Sequence, residues 1–179
     1  MARFGGPFSF RAAVCTPAPD APIDQMSQQS VAEFFARQGV ALEILETSEP
    51  TPTVASAAAV HGVEPGRIAK TLAFRLKDGA VVLLVARGDA RIDNRKFKDA
   101  FGKGRMLPPE EVAAVTGHPV GGVCPFGLAQ PLAVYADVRL QDFDTVLPAA
   151  GSTHNAVRVT PQQLVALTQA RWVDVCEGP

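Results

Sequence analysis

The sequence predicts one α/β domain built on a mixed, largely antiparallel sheet with helices packed on it. Three observations carry that expectation. Lys77-Asp78-Gly79 separates two apolar runs, residues 69–76 and 80–86, and Asp-Gly between such runs is a hairpin signature. Helix-like segments interrupt the strand-like ones irregularly, unlike a repeating strand-helix-strand array. The chain has 179 residues, 47% apolar and 20% charged. That is enough for one domain with a sizeable core.

The elements follow in order. Residues 1–25 contain Pro7, Pro17, Pro19 and Pro22 with little periodicity, and read as a flexible extension. Met26, just before a helix start, is a second candidate initiator. Ser27 or Ser30 can cap a helix reaching about Gln38, with Val31, Phe34 and Phe35 on its apolar face and Gly39 as its stop. Residues 41–47 alternate as a strand. Residues 54–61 form an alanine-rich helix ended by Gly62, and Glu64-Pro65-Gly66-Arg67 turns into the hairpin. Residues 93–101 read as a helix. A further helix opens at Pro108-Pro109-Glu110-Glu111, where proline and acids suit a first turn, and stops at Gly117. Residues 132–138, 145–149 and 156–160 read as strands, Pro161 opens a last helix to about Thr168, and residues 172–176 close the domain as a strand.

Composition excludes several classes. The net charge of −1 implies no partner by itself. The three cysteines, Cys15, Cys124 and Cys176, are odd in number and lack C-x-x-C spacing. That argues against a disulfide framework or zinc site and fits a reducing cytoplasm. No apolar run approaches the ~20 residues of a membrane span.

Two features stand out as chemistry. Lys70 interrupts the apolar strand Ile68-Ala69-Lys70-Thr71-Leu72-Ala73-Phe74, on one face with Leu72 and Phe74, while Thr71 takes the other. It is either a cation aimed into a pocket or an edge lysine that snorkels and blocks aggregation. Val120-Gly121-Gly122-Val123-Cys124-Pro125-Phe126-Gly127 is an apolar loop with three glycines. It lacks the ending of a phosphate loop and opens no helix. Its amides can polarise a carbonyl; equally, it can be a tight connection with Cys124 and Phe126 packed inward. Cys124 has no sequence-adjacent histidine to activate it.

Gly151-Ser152-Thr153-His154-Asn155 gathers hydrogen-bonding side chains at a turn, either for a ligand or for itself. His61 and His118 each sit beside a glycine at a helix end, where cationic capping is the simple reading. Arg87, Arg91, Arg95, Lys96, Lys98, Lys103 and Arg105 outnumber Asp89, Asp93 and Asp99. The cluster can receive a phosphate backbone or be a solvated helix face.

In this order, the Ile68–Leu72 segment, the Gly121–Gly127 loop and Gly151-Ser152-Thr153-His154-Asn155-Ala156 resemble the YbaK/prolyl-tRNA-editing family. That family comprises free-standing trans-editing proteins and the editing domain inserted in many bacterial prolyl-tRNA synthetases. The resemblance covers about residues 26–176, and it implies an editing domain over 26–179 with a barrel-like sheet. The implied activity is hydrolysis of the ester joining a wrong amino acid to transfer RNA, in particular tRNA for proline, with no metal or organic cofactor. Family mechanisms use a ribose hydroxyl of the substrate and a bound water, which suits a pocket lacking acid–base pairs.

By resemblance, Lys70, Gly121 and Gly122 are the catalytic positions. Thr71, Val123, Cys124, Pro125, Phe126, Gly127, Gly151, Ser152, Thr153, His154 and Asn155 would line the aminoacyl pocket. Arg91, Arg95, Lys96 and Lys98 would meet the acceptor end of the tRNA. The implied setting is cytoplasmic, with a synthetase as a partner in trans and neither membrane nor DNA. Some relatives carry an aspartate after the last glycine turn, where this chain has Asn155, Ala156 and Val157, and others have Asn at the position of Thr71. These departures leave Ala, Cys, Ser, Thr and small non-protein residues as candidates for removal. The rival readings are a non-catalytic tRNA- or synthetase-binding module of the same fold, and a small-ester hydrolase using Cys124 or Ser152.

Overall fold

The computed structural model describes residues 22–177. Most of the expected extension therefore lies outside the described residues. Helix α1 spans Ile23–Gln38 and begins earlier than the serines suggest, after Pro22 and without a side-chain cap. Ser27 is instead buried inside it, because its hydroxyl is used elsewhere. Gly39, in the left-handed region at φ 66°, ends the helix.

Strand β1 (Glu43–Glu46) leads through a turn to α2 (Val54–His61). Thr53 and Ser56 cap α2 reciprocally, each side chain bonding the other's backbone N–H. The hairpin is β2 (Ile68–Leu76) with β3 (Val81–Arg87), in antiparallel register with Lys70 opposite Ala86 and Leu72 opposite Leu84.

Two short strands were not legible in the pattern: β4 (Arg91–Ile92) and β5 (Gly104–Met106). They flank α3 (Asn94–Phe101), whose first turn is capped by Asp93 accepting from the N–H groups of Arg95 and Lys96. Helix α4 (Pro109–Thr116) and strand β6 (Ala133–Asp137) follow, then β7 (Leu147–Pro148), β8 (Asn155–Arg158) and α5 (Pro161–Thr168). The expected closing strand splits into β9 (Arg171–Val173) and β10 (Cys176–Glu177). The cause is the buried Asp137, whose Oδ2 accepts from the N–H groups of Val175 and Cys176 at 2.9 and 3.0 Å. A carboxylate replaces the neighbouring strand there, and the chain turns to pair with β4.

The main sheet runs β5-β2-β3-β6-β9, with β7 also on β2, and β1–β8 and β4–β10 are separate pairs. Pairing is mixed: β2–β3, β2–β5, β1–β8 and β4–β10 are antiparallel, whereas β2–β7, β3–β6 and β6–β9 are parallel. The path ends at β5 and β9, so the sheet resembles a barrel only loosely and does not close.

The two faces of β2 enter different cores, as its alternation requires. Ala69 and Ala73 join a cluster with Val31, Phe35, Leu83, Val85 and Phe126. Phe74 joins Leu84, Ala86, Ala90, Phe97 and Cys176. In the first cluster Phe35 and Phe126 pack with ring centroids 5.0 Å apart and planes tilted by 58°, which pins the loop after α4 to α1.

Candidate active site

The site begins with a break in the sheet. Strand β7 pairs with β2 at Ile68 and Ala69, and β5 pairs with it at Phe74, Arg75 and Leu76. On that edge the ladder skips the residues between. Leu107 donates its N–H to the Ala73 carbonyl and Lys77 donates to Lys103, while Leu76 donates across the other edge to Ala80. Backbone groups alternate sides along a strand. Odd-numbered residues of β2 therefore face the gap, and the N–H and C=O of Thr71 point into it.

A cavity of about 430 Å³ occupies this gap. Lys70, Thr71 and Leu72 form its floor, Met106, Leu107 and Val112 one wall, and Leu147, Ala149 and Ala156 another. Val120, Gly121 and Val123 of the glycine loop, and Ser152 and Asn155 of the following turn, complete it with Thr51–Val54 and His61 of α2.

The loop and the turn are locked together. A Cβ on Gly122 would lie 2.7–2.8 Å from the backbone of Ser152, so only glycine allows this approach. Gly121 has φ +89°, and a Cβ there would lie about 3 Å from the Thr153 methyl and from Pro52. Thr51 holds the other side: its N–H and hydroxyl both donate to the Thr153 carbonyl, at 2.7 and 2.8 Å. Ser152 Oγ accepts from the His154 N–H at 2.9 Å and shapes the turn.

Lys70 contributes through a constrained amine. Its Nζ donates to the carbonyls of Gly88, at 3.0 Å, and of Ala90. Burial lowers its pKa, partly opposed by Cys176 and Asp89. An ammonium has three N–H donors, so two are spent on main chain and one is left. The amine is neither in bulk solvent nor pointed straight at the glycine loop, because Lys70 and Thr71 lie on opposite faces of β2.

Among the described residues, three buried side-chain polar atoms have no hydrogen-bond partner: His61 Nε2, Thr71 Oγ1 and Asn155 Oδ1. All three residues line this cavity. Buried polar groups are normally paired, so their coincidence makes this cavity the candidate binding site.

Several expected pocket residues lie elsewhere. Cys124 and Phe126 are completely buried. Burial pushes the Cys124 thiol up to about 12, which removes it as a nucleophile near neutral pH. Pro125 and Gly127 border a separate, shallow depression beside Phe34 and Arg37. Gly127 and Gly151 pack on α1, against Ser30 and Ser27. Thr153 reaches Gly121 from behind, and His154 is exposed. Among the lining residues that sequence reasoning missed are His61, Thr51–Val54, Met106, Val112 and Leu147. None carries a motif, and the gap in β2 that gathers them has no sequence signature.

His118 is not a cap. It is buried, bonded through Nδ1 to Ser27 Oγ and through Nε2 to the Phe126 carbonyl at 2.8 Å. In the basic cluster, Arg91, Arg95 and Lys98 are exposed. Lys96 is tied to Asp174 at 2.7 Å, and Arg87 to Asp89 and Asp142 at 2.8 and 2.6 Å. No helix among the described residues is long and apolar enough to cross a membrane.

The profile of the aminoacyl-tRNA editing domain family matches residues 48–167, a span that contains every segment of this cavity. The chain belongs to that family. The chain is 46% identical to YwhH of Bacillus subtilis (strain 168) over 154 residues, 85% of this chain and 98% of that protein. It is 28% identical over 130 residues to an Enterococcus faecalis (strain ATCC 700802 / V583) protein named "Putative Cys-tRNA(Pro)/Cys-tRNA(Cys) deacylase EbsC", covering 72% of this chain and 79% of that one. A solved structure described as "a putative trans-editing enzyme for prolyl tRNA synthetase" superposes with a TM-score of 0.76 at 33% identity, over 88% of this chain and 99% of that one.

Proposed function

We propose that this protein is a trans-acting aminoacyl-tRNA deacylase that removes a small wrong amino acid from tRNA for proline. The observation that carries the reading is convergence. Lys70, Gly121, Ser152 and Asn155, drawn from three distant segments, line one cavity at an open strand edge. Family membership and the printed names of the relatives support the reaction class.

The chemistry suits the groups present. An aminoacyl ester is already activated, so hydrolysis depends on positioning and on stabilising the developing oxyanion. The remaining N–H of Lys70 and main-chain N–H groups of the Thr71 edge and the Gly121 loop supply donors. The attacking oxygen comes from water, oriented by the substrate's own ribose hydroxyl. The breaking bond is the one between the acyl carbon and the ribose oxygen, which leaves with a proton. The mostly apolar walls limit the size of the acyl group and so exclude larger residues. Arg91, Arg95 and Lys98 offer exposed charge for the acceptor stem, and a prolyl-tRNA synthetase is the expected partner in trans.

A deacylation screen over tRNAs mischarged with Ala, Cys, Ser and Thr tests the reading. Release of at least one amino acid, lost in Lys70→Ala, is the expected result. Binding of tRNA without hydrolysis of any ester would instead identify a non-catalytic module.

A further inference from the structure

His61 is the unpartnered cavity group that no motif accounts for. Helix α2 presents it one turn after Ala57, and both residues line the cavity. The ring is not needed to end the helix. The N–H groups of Gly62 and Val63 already return to the carbonyls of Ala59 and Ala58, at 3.3 and 3.0 Å. Nε2 is buried without a hydrogen bond, an unfavourable position for a polar atom unless a partner is supplied.

The surroundings restrict what can satisfy this atom. Burial, and secondarily the Arg158 guanidinium, lower the His61 pKa, so the ring is neutral near pH 7. Arg158 is itself paired with Glu43 at 2.9 Å. A neutral ring in the field of an arginine is a poor host for the substrate's ammonium group. A hydroxyl, which both donates and accepts, satisfies either tautomer of a neutral imidazole.

We propose that His61 is a specificity-determining residue whose Nε2 hydrogen-bonds a neutral hydroxyl of the bound ester, carried by the amino-acid side chain or by the terminal ribose. The inference rests on the deacylase reading. It assigns the helix-borne end of the cavity to hydroxyl recognition, and Lys70 with the Gly121 loop to the ester.

Single-turnover deacylation by the wild type, His61→Leu and His61→Gln, on seryl-, threonyl- and alanyl-tRNA for proline, tests it. His61→Leu removes the nitrogen at similar volume, and His61→Gln returns a polar group at similar reach. A side-chain hydroxyl as the partner predicts that His61→Leu loses about 10- to 100-fold in kcat/KM on the seryl and threonyl esters, leaves the alanyl ester unchanged, and is largely rescued by His61→Gln. A ribose hydroxyl as the partner predicts equal losses on all three esters, the alanyl ester included, each relieved by His61→Gln. An active wild type with His61→Leu unchanged on every ester, or a loss that His61→Gln does not relieve, overturns the inference alone. A wild type inactive on every ester overturns the deacylase reading, and the inference with it. Thermal melting of both variants keeps a folding defect separate from these outcomes.

Discussion

Gly122 and Ser152 meet backbone to backbone: a Cβ added to the glycine would lie 2.7 Å from the serine Cα. This contact makes one rigid wall out of two loops 30 residues apart. Gly122→Ala is expected to lower stability by about 1–3 kcal/mol, the usual cost of overpacking. That corresponds to roughly 2–4 °C in melting temperature per kcal/mol for a chain of this size. Because neither neighbour is the end of a flexible side chain, the loop must move. Deacylation is expected to fall by more than the fraction unfolded explains. Melting curves and single-turnover rates on one preparation check both.

Lys70→Ala is expected to reduce deacylation about 100-fold or more, the scale of losing one preorganised donor at a developing oxyanion. It also leaves the Gly88 and Ala90 carbonyls without their donor, so Lys70→Met, which keeps the packing of the stem, is the better structural control. Circular dichroism should show both variants folded. Normal rates in either would move the active site elsewhere.

Cys124→Ala is expected to keep near-normal deacylation. The same thiol gives a pH signature. Its folded pKa of about 12 lies above the ordinary 9.0, so between these values the unfolded chain has released a proton that the folded one retains. Its contribution to stability is complete below pH 9 and is lost as pH rises toward 12, at about 1.4 kcal/mol per pH unit. Denaturant melts of wild type and Cys124→Ala should converge as pH climbs through that window. Parallel curves would contradict the buried, protonated thiol.

His118 supplies the acid-side counterpart. Burial holds its pKa below the ordinary 6.5, so the unfolded chain takes up a proton first as pH falls. Its stabilising contribution is present above pH 6.5 and is lost below it. Ser27→Ala leaves Nδ1 of this buried ring unpaired and is expected to cost about 1–3 kcal/mol at pH 7. Urea titrations at pH 7.5 and 5.5 test both statements.

Arg91→Glu with Arg95→Glu is expected to weaken tRNA binding and to flatten its dependence on salt concentration, by a slope of about 0.7–0.9 for each phosphate contact removed. Lys96→Glu should act differently. It meets Asp174 and the Cys176 carbonyl, so its replacement is expected to lower stability as well. Filter binding across a salt series, beside melting curves, separates the two.

The elements that the sequence made legible are those coded locally. The Lys77-Asp78-Gly79 hairpin, α2 with its Gly62 stop and α5 opening at Pro161 follow from turn chemistry and capping, which act within a few residues. What stayed hidden depends on distant partners. β4 and β5 are two or three residues long and exist because a neighbour offers hydrogen bonds. Asp137 cuts the last strand in two from about 40 positions away. In the site, Lys70, Gly121 and Ser152 were readable as departures from their surroundings. Cys124 and Phe126 were misplaced because an apolar loop looks the same whether it lines a pocket or fills a core. His61 and His118 looked alike beside their glycines, yet one ring lines the cavity and the other is sealed by Ser27 and Phe126.

The unpaired stretch of β2 has one more implication. On the proposed deacylase reading, main-chain donors and acceptors at Thr71 would engage the groups that every α-amino acid ester shares, and so be blind to the identity of the cargo. Discrimination would then be left to Val112, Val123, His61 and their neighbours, which no ladder constrains. Such a scaffold could be retargeted from one acyl group to another by exchanging a few wall positions, with its main-chain edge untouched.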